Sequence, residues 1–99
     1  MFVKFYQYRI KSKNLKKWKD INDKTKALFE KKYNVDSQRL IKKEDKFINI
    51  IEMDHYKSKE DYLKIKDEMD KDRQVNSLFL EFIEIVFRRK LLEDEYETI

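Results

Sequence analysis

Glu52, Asp54 and His55 fall almost side by side, two carboxylates next to the only imidazole of the chain. His55 closes a segment of strand character and precedes Ser58, where a helix is expected to start. The partial positive charge of a helix N-terminus favours the neutral imidazole, the form that acts as a base. This makes His55 the candidate catalytic residue; the plain alternative is a strand-end histidine hydrogen-bonded to backbone. In an extended chain Glu52 and Asp54 share one face while His55 points to the other, so the three do not converge on a metal without a bulge.

A second set could bind rather than react. Tyr6 and Tyr8 share a face of the first strand, and with Asn49 and Met53 they offer the few polar and polarisable groups that an apolar pocket needs to orient a small ligand. Trp18 joins this ligand-binding set, although its place on the apolar stripe of a helix suits core packing as well. Aromatic residues in such patterns also simply pack against helices.

Composition removes many other chemistries. The 99 residues contain no Cys, so disulfides, thiolate zinc sites and cysteine nucleophiles are excluded, which suits a reducing compartment. Gly and Pro are also 0. Glycine-dependent phosphate cradles are therefore out, because a side chain would block the approach of backbone to phosphate. No cofactor is implied. Hydrophobic residues at 40% suffice for a core, while 44% charged residues give a well-solvated surface. The 24 basic and 20 acidic residues are interspersed, leaving a net charge of +4 without one strong field. Neither a secretory signal nor a run long enough to span a membrane is visible, so a soluble, cytoplasmic protein is expected.

These side chains must be positioned by a small set of elements, and residues 1–99 fit a single domain. FVKFYQYRI, residues 2–10, reads as a strand. Leu15, Trp18, Ile21, Thr25, Leu28 and Phe29 recur at helical spacing, and Asn34 is the expected left-handed cap of that helix. SQRLIKKED and KFINIIEMDHY read as two strands around a tight turn in which Asp45 is expected to take a positive φ. Ser58 and Asp61 match a capping box, and the helix that follows is expected to bury Tyr62, Ile65 and Met69. Val75, Leu78, Phe79, Phe82, Ile83 and Val86 trace a further helical stripe. Forcing the same residues into a strand misplaces Glu81 and Glu84. RRKLLEDEYETI is left as the last strand.

The order strand, helix, strand, strand, helix, strand, with an extra helix before the last strand, is ferredoxin-like: an α+β fold with a four-stranded antiparallel sheet and its helices on one face. An apolar open face must then be covered, most simply by a second copy of the same sheet. In FVKFYQYRIKSKNLKKW, EMDHYKSKEDYLKIKDEMDKD and DRQVNSLFLEFIEIV the chain resembles the dimeric α/β barrel proteins, the group that includes antibiotic-biosynthesis-monooxygenase-like domains. The resemblance implies a homodimer whose sheets pack face to face, with a pocket between sheet and helices in each subunit. Members include cofactor-free oxygenases, haem-degrading enzymes and isomerase-like enzymes, so the fold does not fix an activity. The Asn, Trp and His roles of the haem-degrading members are not carried over to Asn49, Trp18 and His55.

The expected protein is a small-molecule binder, with cofactor-independent monooxygenase-like catalysis on one side and a non-catalytic structural or binding module on the other. RNA binding is the weaker alternative. A ferredoxin-like sheet can stack bases, but KFINIIEM lacks the glycine and spaced aromatics of RNA-binding sheets. A membrane-surface helix is disfavoured by Glu81 and Glu84 on the polar side of the third helix.

Overall fold

The computed structural model describes residues 1–99. Seven principal elements follow one another: β1 (Phe2–Lys11), α1 (Leu15–Tyr33), β2 (Asp36–Lys43), β3 (Phe47–Tyr56), α2 (Lys59–Asp70), α3 (Arg73–Ile85) and β4 (Leu92–Glu97). The strands form one antiparallel sheet in the order β2-β3-β1-β4. This is the ferredoxin-like α+β arrangement, with β1 and β3 in the middle. No helix is long and apolar enough to cross a membrane.

Strand alternation divides the sheet into two different faces. Opposite pairs Ile10↔Ile48, Tyr8↔Ile50, Tyr6↔Glu52 and Lys4↔Asp54 face the helices. Ile10, Ile48, Ile50 and Tyr8 are completely or almost completely buried there, against Trp18 and Ile21 of α1 and Ile85 of α3. A second cluster, at the other end of the same face, packs Phe2, Val35, Tyr56, Tyr62 and Met69, so α2 buries the stripe expected of it. The opposite face carries Val3, Phe5, Phe47, Ile51 and Met53 on the central strands. Leu40, Leu92 and Tyr96 extend this apolar surface toward the edges and are 49%, 59% and 54% exposed.

Local chemistry accounts for the element ends. Asn34 takes the left-handed conformation at φ 56°, which stops α1 without a glycine, and its backbone N–H donates to Phe29. Ser58 Oγ accepts from the Asp61 N–H and starts α2. Asp72 starts α3 by accepting from the N–H groups of Gln74 and Val75. The expected positive φ at Asp45 is not found, since Asn34 is the only residue with one. Four residues separate the last paired positions, Lys43 and Ile48, and a loop of that length closes around an ordinary turn. The last strand is shorter than RRKLLEDEYETI, because Arg88–Lys90 form a turn of 3-10 helix before it.

Candidate functional site

A cavity of about 210 Å³ lies between the helix-facing side of the sheet and helices α1 and α3. Its walls are apolar and largely aromatic: Trp18, Ile21 and Phe29 come from α1, and Leu78, Phe82 and Ile85 from α3. All but Ile85 belong to the two helical stripes, so the periodicity that folds the helices also lines the space between them. The floor is polar. Tyr6 and Tyr8 of β1, Glu52 and Asp54 of β3 and Arg39 of β2 stand next to one another there because each pair of neighbouring strands is in register.

The floor residues are chained by hydrogen bonds. Trp18 Nε1 donates to the Tyr8 hydroxyl at 2.7 Å, and that hydroxyl donates to Glu52 Oε1. Arg39 Nε lies 3.3 Å from the same Glu52 oxygen, and Arg39 Nη1 lies 3.2 Å from Asp54 Oδ1 and 2.6 Å from Ser37 Oγ. Ser37 Oγ in turn donates to Asp54 Oδ1. Two carboxylates thus face one guanidinium in a region largely shielded from water, with side-chain exposures of 18%, 4% and 7% for Glu52, Asp54 and Arg39. Buried charges persist only when paired in this way.

Burial shapes the acid–base properties of the floor. Desolvation pushes the Glu52 carboxyl above its ordinary value, against the lowering influence of Arg39 and the Tyr8 hydrogen bond. Desolvation likewise raises the Tyr8 and Tyr6 phenols, with Glu52 adding to the first and Asp54 to the second. The result is a carboxyl group of raised proton affinity next to two phenols that stay protonated at neutral pH, facing an apolar space. Such a group can accept a proton or a hydrogen bond from a bound molecule.

The structure brings Tyr6, Tyr8 and Trp18 together in the cavity lining. Asn49, Met53 and His55 are not part of it, since they alternate with Ile48, Ile50 and Asp54 and occupy the other face of the sheet. Asn49 accepts from Arg9 Nε at 3.0 Å and donates to Glu44 at 2.8 Å. Met53 sits opposite Phe5 and Gln38, and His55 opposite Val3 and Asp36. The Glu52 and Asp54 carboxylates, which the sequence offers only as metal ligands, belong to the cavity floor. Arg39 carries no functional motif in its own segment. Its signal was parity: in SQRLIKK, Ser37 and Arg39 share one face, and a strand that turns an arginine toward the core must supply it with acids.

A further polar tie holds the helices that frame the cavity. Asp72, at the start of α3, accepts from Lys32 Nζ at 2.7 Å and from the Tyr33 hydroxyl at 2.5 Å, both at the end of α1. These hydrogen bonds hold the Asp72 carboxyl well below its ordinary range, and burial together with the bond to Asp72 pushes the Tyr33 phenol up to about 12.

No protein-family profile and no curated protein matches this sequence. Solved structures do match its fold. A structural-genomics crystal structure of a protein from Agrobacterium tumefaciens superimposes with a TM-score of 0.79 at 11% identity, covering 100% of this chain and 94% of that one. An uncharacterized NIPSNAP domain protein from Burkholderia xenovorans gives a TM-score of 0.78 at 10% identity, covering 100% and 95%. At these identities the likeness is one of fold, and it supports the ferredoxin-like assignment over the full length of the chain.

Proposed function

We propose that this protein is a homodimer, each subunit of which binds a small, largely apolar molecule between its sheet and helices α1 and α3. The observation that carries the binding role is the cavity itself: apolar walls close over a floor of Tyr8, Glu52 and Arg39, the pattern of a small-molecule site. What supports the dimer is the opposite face, where Phe5, Ile51 and Met53 leave an apolar surface that a second sheet would cover. A screen of small aromatic and aliphatic compounds, read by Trp18 fluorescence and thermal shift, tests the binding role. Compounds that occupy the cavity perturb the emission of Trp18, the only tryptophan, and raise the unfolding temperature. A screen in which nothing does either removes the proposal.

A second reading, cofactor-independent monooxygenase-like catalysis, is favoured by Glu52. A carboxylate whose proton affinity is raised by desolvation, set against an apolar space, is suited to remove a proton from a bound substrate. In this reading Glu52 is the base and the Tyr8 hydroxyl orients it. The test is oxygen consumption with any compound found in the screen, compared between the wild type and Glu52→Gln. Equal rates would remove Glu52 from the chemistry.

A further inference from the structure

The floor of the cavity also specifies the polar group its occupant must carry, an argument that rests on the binding role proposed above. The protein has two buried side-chain atoms without a hydrogen-bond partner, Arg39 Nε and Asn22 Oδ1. Both residues line this cavity, Arg39 from the sheet and Asn22 from α1. Arg39 Nε is near Glu52 Oε1 but off the hydrogen-bonding line, and the Arg39 side chain is only 7% exposed. A buried donor and a buried acceptor left unpaired by the protein are costly unless water or a ligand completes them. Glu52 makes both of its protein contacts through Oε1, which leaves Oε2 as another acceptor.

An arginine in a pocket ordinarily suggests a carboxylate ligand. Here the guanidinium already faces Glu52 and Asp54, and Glu93, exposed on the edge strand β4, adds a third acid at the rim. An incoming carboxylate would meet more negative than positive charge in a poorly solvated space. An ammonium would suit Asn22 and the excess of negative charge, but it would set a donor against the Arg39 donor and leave Arg39 Nε without an acceptor. We infer that the cavity takes a small uncharged molecule whose flat apolar body carries an acceptor and a donor side by side, the chemistry of a carboxamide. Its carbonyl accepts from Arg39 Nε, and its N–H donates to Asn22 Oδ1 or Glu52 Oε2. Trp18, Phe29 and Phe82 enclose the body.

Four probes share one frame and differ in the head group: hydrocinnamamide, hydrocinnamate, phenylpropylamine and benzylacetone. Titrated against the full chain by Trp18 fluorescence at neutral pH, the amide binds about tenfold or more tighter than each of the others, as expected from pairing two buried groups at once. A carboxylate or amine that equals the amide overturns the head-group inference while leaving a binding cavity in place. Silence from all four, with no thermal shift, overturns the binding role and the inference with it. Asn22→Leu separates ligand recognition from packing without touching the charged floor. It leaves the unliganded protein as stable or more stable, and cuts the preference for the amide over benzylacetone about three- to tenfold. Loss of stability with unchanged preference would remove Asn22 from the site.

Discussion

Tyr8 and Glu52 are joined diagonally across the β1–β3 ladder by a hydrogen bond from the phenol to the carboxylate, and the same phenol accepts from Trp18 on α1. One hydroxyl therefore couples the sheet to the helix that roofs the cavity. Tyr8→Phe removes it and leaves the buried Trp18 N–H without its acceptor. The expected cost is about 1–3 kcal/mol of stability, the range for stranding a buried polar group. Urea unfolding followed by circular dichroism measures the cost, and a shift in Trp18 emission reports the loss of the bond. Unchanged emission and stability would show that the hydroxyl links nothing.

Arg39 is the only cation among the floor residues, and its removal leaves Glu52 and Asp54 facing each other without compensation. Arg39→Met keeps much of the side-chain volume and discards the charge. Breaking a buried pair in this way costs about 3–5 kcal/mol. Adding Glu52→Gln and Asp54→Asn to the variant should recover a large part of that loss, because the unpaired charges are then gone. A triple variant no more stable than Arg39→Met alone would mean that Arg39 acts through packing.

The carboxyls of Glu52 and Asp72 tilt the pH profile in opposite directions. Glu52 is raised in the fold from an ordinary 4.5, chiefly by desolvation. Above pH 4.5 the unfolded chain gives up this proton before the folded one does, so this contribution to stability falls as pH rises through the raised value. Asp72 is lowered from an ordinary 3.8, first by the hydrogen bond from Lys32 and then by that from Tyr33. Its contribution is present above pH 3.8 and is lost as pH falls toward the depressed value. Thermal midpoints measured across a pH series should show Glu52→Gln flattening the decline above 4.5 and Asp72→Asn flattening the acid limb. Parallel curves for wild type and both variants would contradict this assignment.

The sequence carried the fold more completely than the site, and the reason is physical. Helical spacing at Leu15, Trp18 and Ile21, the cap at Ser58 and the left-handed Asn34 are local signals, and each element they mark is present. The ferredoxin-like order follows once those elements are in sequence. Side-chain parity along one strand is legible too, which is why Tyr6 and Tyr8 share a face in the sequence reading and in the structure alike. What no single strand reveals is which face of its neighbour it meets. Residue type alone joins Asn49 and Met53 to the tyrosines, yet the register pairs Tyr8 with Ile50 and Tyr6 with Glu52. A slip of one residue exchanges the faces, so from sequence the true floor, Glu52 and Asp54, looks like no more than a failed metal site. Arg39 was hidden for a related reason, because its acids come from a different strand.

The proposed dimer places the apolar face of one sheet against that of its twin. Ile51, on the central strand β3 and opposite Gln7 and Leu40, lies in the middle of that face. Ile51→Glu would set two carboxylates together in a dry interface, while in a monomer the new side chain reaches water. Sedimentation should find a dimer for the wild type at micromolar concentration and a monomer with unchanged circular dichroism for the variant. A wild type that sediments as a monomer would leave the apolar face to another partner.

Because His55 and the cavity lie on opposite faces of β3, two substitutions should separate their roles. Leu78 lines the cavity from α3, and Leu78→Phe adds bulk to a space of about 210 Å³. Overpacking of this kind costs about 1–3 kcal/mol when the space is already full, and less when the ring occupies an empty volume. Leu78→Phe should therefore retain the fold and weaken compounds found by the Trp18 screen about tenfold or more, since one methylene of lost room is already worth about 10- to 200-fold in an apolar pocket. His55→Ala, whose side chain is opposite Val3 and Asp36, should leave the same affinities unchanged. Isothermal titration of both variants with the same compound decides the matter: weakened binding in His55→Ala with normal binding in Leu78→Phe would move the ligand to the other side of the sheet.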